Sequence, residues 1–225
     1  TSLSGSDVDG DDLTFSITGG DQITASLSGT DVIFNAPTNY NGSEEFSVSI
    51  SDGEYSDSQS ITVTVLAVND APTADSTSGI TSEDQSVVVT LSGSDIDGDN
   101  LTFTLGADAS NGTVTLDGSL ATYTPNANYN GDDSFSFSVS DGELSDSADV
   151  TVSVSAVNDA PVLATVSDVS FDEDGSGSTS LSASDVDGDD LTFSIIAGGS
   201  NITATLSGSD VSFSAPANYN GSETF

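Results

Sequence analysis

The segment FSFSVSDGELSDSADVTVSVS, residues 135–155, decides the fold class. Apolar side chains occupy alternate positions on both sides of a central Ser-Asp-Gly-Glu, at Phe135, Phe137, Val139, Val150, Val152 and Val154. A period of two places alternate side chains on opposite faces of a strand, and Asp-Gly pairs favour tight turns. The segment therefore predicts two antiparallel strands, each with a buried apolar face and an exposed hydroxyl-rich face.

The same unit recurs along the chain. DVDGDDLTF at 7–15 returns as DIDGDNLTF at 95–103 and DVDGDDLTF at 185–193, NYNG begins at 39, 128 and 218, and AVNDAP begins at 67 and 156. A period near 90 residues is typical of an array of small independent domains rather than of a solenoid.

The repeats predict three domains, called copies 1, 2 and 3 below, at 1–70, 71–159 and 160–225. Copy 2 is complete, whereas copy 1 lacks its first segments and copy 3 its last ones, so we expect the chain to be a piece of a longer array. In copy 2 we predict strands at 73–80, 86–92, 101–105, 112–116, 119–124, 134–140 and 146–156. About seven strands in under 90 residues indicate an all-β fold of tandem Greek-key β-sandwiches, cadherin- or immunoglobulin-like.

The charge balance restricts the partners. The chain has 37 acidic residues, no Lys, Arg or His, and a formal net charge of −37. Two carboxylates about 5 Å apart repel by about 3 kcal/mol at an effective dielectric near 20, against a domain stability of about 5–15 kcal/mol. A counterion must therefore come from solution. So acidic a surface repels nucleic acid and anionic lipid, and we expect no membrane insertion because no apolar run is long enough.

The acids of copy 2 concentrate in loops, as in Asp95, Asp97 and Asp99, while the predicted strand faces carry Ser and Thr. Donors that are all oxygen select a hard cation, and Ca²⁺ takes about 6–8 of them. The absence of Cys and His disfavours zinc and copper. Two other interpretations stay open: a turn in which Asp side chains bond the local backbone, and a salt-adapted surface without specific metal sites.

Two stretches carry a family resemblance, SGSDIDGDNLTFTL at 92–105 and SDGELSDSADVTVSVSAVNDAP at 140–161. They resemble the two calcium-binding motifs of cadherins, and the array is similar to cadherin-like tandem repeats of bacterial surface and adhesin proteins. The linker here lacks the first Asp and the last Asn of the cadherin form. The resemblance implies Ca²⁺ ions that bridge successive domains at each junction.

The resemblance also implies the ligands. At the first junction they are Glu44, Asn69, Asp70, Asp95, Asp97 and Asp141. At the second they are Glu83, Asp133, Asn158, Asp159, Asp185 and Asp187. Asp7, Asp9 and Asp52 would serve a junction with a preceding domain.

The leading functional hypothesis is a structural spacer, an extracellular calcium-rigidified rod or filament segment of a surface adhesin or matrix fibre. Its partners are the neighbouring repeats of the same chain, with fibre contacts between chains as a further expectation. Catalysis is disfavoured, because no His, Cys, Lys or Arg is present to act as base or nucleophile. The alternatives are an adhesive module that recognises a glycan or protein, and a salt-adapted acidic surface-layer protein.

Overall fold

The computed structural model describes all 225 residues, and every regular element is a β-strand. Copy 1 contains β1 (Thr14–Gly19), β2 (Thr24–Ser28), β3 (Asp31–Asn35), β4 (Gly42–Ser51) and β5 (Ser56–Val65). Copy 2 contains β6 (Thr73–Asp75), β7 (Thr77–Ser82), β8 (Val87–Thr90), β9 (Ser92–Ser94), β10 (Thr102–Leu105), β11 (Gly112–Asp117), β12 (Leu120–Pro125), β13 (Gly131–Ser140) and β14 (Ser145–Ser155). Copy 3 contains β15 (Val162–Leu163), β16 (Ser176–Ser180), β17 (Ala183–Ser184), β18 (Thr203–Ser207) and β19 (Asp210–Ser214). The structure contains no helix that is long and apolar enough to span a membrane.

The prediction of an all-β fold is confirmed, and copy 2 shows the sandwich most fully. One sheet has the order β10-β13-β14-β7 and the other β11-β12-β8, with β6 and β9 as a separate pair. The chain passes from β10 to the second sheet and returns to pair β13 with β10, a crossover typical of immunoglobulin-type sandwiches. Eleven buried residues fill the space between the sheets, and Phe137, Val139 and Val150 are fully buried among them.

The hairpin predicted at 135–155 forms β13 and β14. Phe135 lies opposite Val150 and Ser138 opposite Ser147, and the ladder closes at Ser140 and Ser145. The phenylalanines and valines of both strands point into the core, whereas the serines face outward. Alternating apolar residues thus build the centre of the larger sheet.

Two of the predicted strands differ from the observed ones. The predicted strand 73–80 breaks at Ser76 into β6 and β7, and 86–92 breaks at Leu91 into β8 and β9. Each break lets the chain change partner, because β6 pairs with β9 while β7 runs parallel to β14 and β8 pairs with β12. The expectation of purely antiparallel pairing is therefore wrong for β7.

Copies 1 and 3 have fewer paired strands. Copy 1 forms the sheets β1-β4-β5 and β2-β3, with Ile23, Val32 and Phe46 buried. Copy 3 forms β16-β19-β18 and the pair β15-β17, and Val211 is its one buried apolar residue. Residues 192–195, the counterpart of β10, form no strand, and neither do residues 221–225, the counterpart of the start of β13.

The topology brings the acidic loops to the ends of copy 2. The loop between β9 and β10 and the turn between β13 and β14 both contact the linker that precedes β6, through Asp97 and Asp141. At the opposite end, Glu83 in the turn between β7 and β8 accepts a hydrogen bond from the following linker at Val157. Each linker therefore lies against acidic turns.

Candidate metal centre

The loop between β9 and β10 is organised by one carboxylate oxygen. Oδ1 of Asp95 accepts hydrogen bonds from the N–H of Asp97 at 2.9 Å and of Asp99 at 3.3 Å. Gly98 has a φ of 81°, a left-handed conformation that glycine adopts without strain. Oδ1 of Asp95 therefore bonds the local backbone, as the interpretation of this loop as an Asp turn expects.

The other two copies repeat this geometry. Oδ1 of Asp7 accepts from Asp9 at 2.8 Å and Gly10 at 2.9 Å, and Oδ1 of Asp185 accepts from Asp187 at 3.0 Å. The turn is thus a property of the repeated sequence.

The second oxygen of Asp95 has no such role. Oδ2 is buried and has no hydrogen-bond partner, and ligand atoms of Asp95, Asp97 and Asp99 lie within 4.8 Å of one another. A buried charged oxygen without a partner is costly, and three carboxylates at this spacing repel. The chain has no Lys, Arg or His, so no basic side chain can neutralise the carboxylates of this loop.

The first linker closes over this loop. The N–H of Asp70 donates to Oδ2 of Asp97 at 2.8 Å, and Nδ2 of Asn69 donates to Oδ2 of Asp141 at 2.9 Å. Hydrogen bonds from Leu144, from Asn69 and from Glu143 hold the pKa of Asp141 below its usual range. The structure thus connects Asn69 and Asp70 with loop residues that the sequence predicted beside them.

The second junction has the same linker contact, with the N–H of Asp159 donating to Oδ2 of Asp187 at 2.6 Å. Nδ2 of the neighbouring Asn158 donates to the carbonyl of Asp159 at 2.9 Å. Oδ2 of Asp159 is buried and has no partner. Both junctions therefore share one backbone contact, whereas the unpartnered carboxylate oxygen belongs to the loop residue Asp95 at the first junction and to the linker residue Asp159 at the second.

Four carboxylates, those of Glu83, Asp84, Asp185 and Asp187, lie close enough to Asp159 for their charges to act on it, and these five residues are called the second-junction cluster here. Burial and the negative charges of the other four raise the pKa of Asp159. Glu83 is only 3% exposed. The cluster combines residues of copy 2, the linker and copy 3.

These features fit a hard divalent cation. The donors are carboxylate and amide oxygens, the set that Ca²⁺ accepts. A cation would supply the partner that Oδ2 of Asp95 and Oδ2 of Asp159 lack, and it would reverse the repulsion that raises the pKa of Asp159.

Glu44 and Asp133, predicted as ligands, are used inside their own copies. The carboxylate of Glu44 accepts the N–H groups of Asp21, Gln22 and Ile23 and the Tyr40 hydroxyl. Burial alone would raise the pKa of Glu44, but these donors lower it to about 2. The structure satisfies this side chain without a metal.

Asp133 occupies the matching position in copy 2 and is 8% exposed. It accepts the N–H groups of Ser110 at 3.1 Å and Asn111 at 2.8 Å, and the Tyr123 hydroxyl at 3.0 Å. Burial opposes ionisation, yet the backbone donors outweigh it and lower the pKa of Asp133. Both acids bind the loop that precedes the second sheet's hairpin.

The acids predicted for a preceding junction adopt the geometry of their counterparts. Oδ1 of Asp52 accepts the N–H groups of Tyr55 at 2.6 Å and Glu54 at 2.7 Å, which lower the pKa of Asp52. Asp7 and Asp9 form the same turn as Asp95 and Asp97. Copy 1 therefore has the loop and turn residues that were predicted for a junction with a preceding domain.

Two residues at the junctions were missed from the sequence. Asp84 joins the second-junction cluster, and its recurrence as Asp174 in the Glu-Asp pair of copy 3 was the available signal. Asn39 lines a cleft of about 400 Å³, the first-junction cleft, together with Asp70, Ala71, Thr73, Ser94, Asp95 and Ile96. The recurrence of NYNG at 39, 128 and 218 is the signal that the sequence offers for Asn39.

Comparison with known proteins gives one family match. A family model described as bacterial Ig domain matches residues 1–64, 69–153 and 158–225. No match was found among curated protein sequences.

Several solved structures are similar at low identity. Human protocadherin-24 EC1-2 is 15% identical with a TM-score of 0.47, over 69% of this chain and 87% of that one. Drosophila N-cadherin EC1-4 is 14% identical with a TM-score of 0.47, over 97% and 61%. An endo-fucoidan hydrolase from glycoside hydrolase family 107 is 20% identical with a TM-score of 0.34, over 92% of this chain, which spans 34% of that protein's chain.

Proposed function

The chain belongs to the bacterial Ig domain family through three successive matches, and on that premise we propose that it is a calcium-rigidified structural spacer of an extracellular rod or filament. Ca²⁺ at each junction bridges one domain to the next. The role is non-catalytic, and the partners are neighbouring repeats of the same polypeptide.

The second-junction cluster carries this proposal. The charges of four carboxylates, two from copy 2 and two from copy 3, act on Asp159 of the linker, whose Oδ2 is buried and unpartnered. Without a cation this arrangement opposes the contact between the copies. When a divalent cation binds, carboxylates of both copies attract it. The ion therefore favours one fixed arrangement of copies 2 and 3 over a flexible connection between them.

Specific residues would hold the ions. At the first junction they are Asp70, Asp95 and Asp97, with Asn69 and Asp141 supporting the linker. At the second they are Glu83, Asp84, Asp159, Asp185 and Asp187. The bound ion supplies positive charge and multiple oxygen coordination, and the chain supplies the preformed turns.

An extracellular setting supports occupancy of such sites. Extracellular Ca²⁺ modules bind with Kd values of about 10⁻⁴–10⁻³ M, suited to the calcium concentrations outside cells. Placement of the acids also supports specific sites over a general salt-adapted surface, because the outward positions of β13 are mostly serine while acids gather at the junctions.

The proposal is tested by the distance between copies 2 and 3. The chain has no cysteine, so Ser147→Cys and Ser212→Cys, both at exposed strand positions, can carry a pair of spin labels. We expect Ca²⁺ to narrow the distance distribution and EDTA to broaden it. Asp159→Asn should remove most of the calcium effect.

Asp149→Asn is the matched control, since it makes the same charge change at an exposed position of β14. It should leave the calcium response intact. Distance distributions that are equal in Ca²⁺ and EDTA for the parent chain would refute calcium bridging.

A further inference from the structure

The first-junction cleft has one wall from copy 1, and that wall is Asn39. The other residues that line it belong to the linker and to copy 2, including Asp70 and Asp95. Asp95 carries the buried, unpartnered Oδ2. Glu44, the acid expected to reach this site from copy 1, is instead fully hydrogen-bonded within its own copy. Copy 1 therefore faces the cleft with a neutral amide.

Asn39 has an unusual backbone that recurs. Its φ is 60°, and Asn128 and Asn218, at the head of the NYNG loop in the other copies, have φ values of 57° and 59°. Left-handed φ is uncommon for residues other than glycine, although Asn tolerates it better than most. The conformation is thus a fixed property of the loop, and glycine would be the least strained residue for it.

The second junction independently places the same loop beside carboxylates. The N–H of Asn128 donates to Oδ1 of Asp84 at 3.2 Å, and Asp84 is a member of the second-junction cluster. In copy 3 the N–H of Asn218 donates to Oδ1 of Asp174 at 3.1 Å. The head of the NYNG loop therefore lies next to the junction acids in both places where a junction exists.

We propose that the side-chain oxygen of Asn39 is the ligand with which copy 1 completes the cation site of the first junction, and that Asn128 has this role at the second. The inference rests on the proposed calcium bridging. Asn carbonyl oxygens are regular Ca²⁺ ligands. A neutral oxygen adds coordination without adding another negative charge to a group of carboxylates that already repel.

Asn39→Gly separates this role from a purely structural one, because glycine keeps the left-handed turn and removes the amide. Tb³⁺ is the probe, since it replaces Ca²⁺ and its luminescence lifetimes in H₂O and D₂O count the water molecules bound to it. We expect Asn39→Gly to increase the mean number of coordinated waters and to weaken cation binding at one site by on the order of tenfold.

Two controls change nearby residues, Asn41 in the same loop and Glu44 in β4. Asn41→Gly changes the exposed Asn two residues later and should leave hydration and affinity unchanged. Glu44→Gln should lower thermal stability without changing the hydration of Tb³⁺. Unchanged hydration and affinity in Asn39→Gly would overturn the proposal while leaving calcium bridging intact, whereas absence of Tb³⁺ and Ca²⁺ binding to the parent chain would overturn both.

Discussion

At the scale of single residues, the donors around a carboxylate decide what it does. Asp133 and Asp95 are both aspartates on the same copy, but Asp133 accepts several N–H groups and a tyrosine hydroxyl, whereas Oδ2 of Asp95 accepts nothing. The first is satisfied by the protein and stabilises the fold as an anion. The second has no hydrogen-bond partner within the protein.

We expect Asp133→Asn to destabilise copy 2 by on the order of 2–3 kcal/mol, because buried N–H donors lose a charged acceptor. The lowered pKa of Asp133 also gives the sign of the pH effect. Its contribution is complete above the unfolded pKa of about 4 and is lost as pH falls through the folded value. Urea unfolding of parent and variant between pH 7 and pH 3 measures this: the difference should shrink on acidification, and a constant difference would contradict it.

Asp159→Asn should have opposite effects with and without calcium. In EDTA the substitution removes one charge from a repelling cluster, so the melting temperature should rise by a few degrees. In millimolar Ca²⁺ the substitution removes a ligand, so the variant should melt below the parent. Differential scanning calorimetry checks both, with Asp149→Asn as the control that should not reverse sign. A change of the same sign in both buffers would argue against a cation at Asp159.

The same contrast explains which site residues the sequence could and could not predict. The resemblance to cadherins placed the Asp-x-Asp-Gly loops beside the linker residues Asp70 and Asp159, and the structure shows a hydrogen bond between loop and linker at both junctions. The resemblance to cadherins placed Glu44 at the junction, but nothing in the sequence shows that nearby N–H groups occupy its carboxylate. Asn39 was not predicted as a site residue, since its place in the cleft depends on which loop the next copy brings beside it.

At the scale of strands, identical local sequence gives different structure when the partner strand differs. Leu101-Thr-Phe103 and Leu191-Thr-Phe193 are the same tripeptide, yet the first leads into β10 and the second lies outside any strand. β10 is held by its ladder to β13, from Thr102 opposite Ser140 to Leu105 opposite Phe137. Alternation therefore predicts where a strand is able to form, and pairing decides whether it forms.

This limit accounts for the differences in copy 2. The predicted ranges match β10 to β14 within three residues at each end, because each of those strands keeps one sheet throughout. The breaks at Ser76 and Leu91 escaped prediction, because a change of partner does not interrupt the apolar pattern. Parallel pairing of β7 with β14 was likewise invisible in a sequence whose periodicity is the same for both directions.

Hydrogen exchange should report the difference between the two matching segments. We expect amides of 102–105 to exchange slowly and those of 192–195 to exchange rapidly, because only the former have ladder hydrogen bonds. Mass spectrometry after pepsin digestion compares them within one molecule and so under one set of conditions. Equal protection of the two segments would contradict this expectation, and would indicate that another chain pairs with copy 3.

At the scale of the whole molecule, the net charge of −37 without any basic side chain leaves every carboxylate without a basic partner, so we expect stability to depend on cations from solution. Monovalent salt screens all the carboxylates in proportion to its concentration, with a Debye length of about 3 Å at 1 M. Specific Ca²⁺ sites act differently, since a ligand at about 100 times its Kd adds about 2.7 kcal/mol per site. The two mechanisms can be distinguished by the concentration of cation that stabilises the chain and by whether the stabilisation saturates.

We expect chelation to lower the melting temperature of the full chain by many degrees, and millimolar Ca²⁺ to restore it in a saturable manner. NaCl at about 1 M should restore only part of the loss, because screening weakens repulsion at the second-junction cluster but gives Oδ2 of Asp95 and Oδ2 of Asp159 no ligand.

Mg²⁺ at the same concentration as Ca²⁺ is the matched comparison: it has the same charge but retains more of its water, so its effect should fall between those of NaCl and Ca²⁺. Full recovery in NaCl alone would favour a salt-adapted surface, and equal effects of Mg²⁺ and Ca²⁺ would indicate charge neutralisation without a preformed site. A larger effect of Ca²⁺ that disappears in a chain carrying both Asp95→Asn and Asp159→Asn would place the stabilising ions at the two junctions.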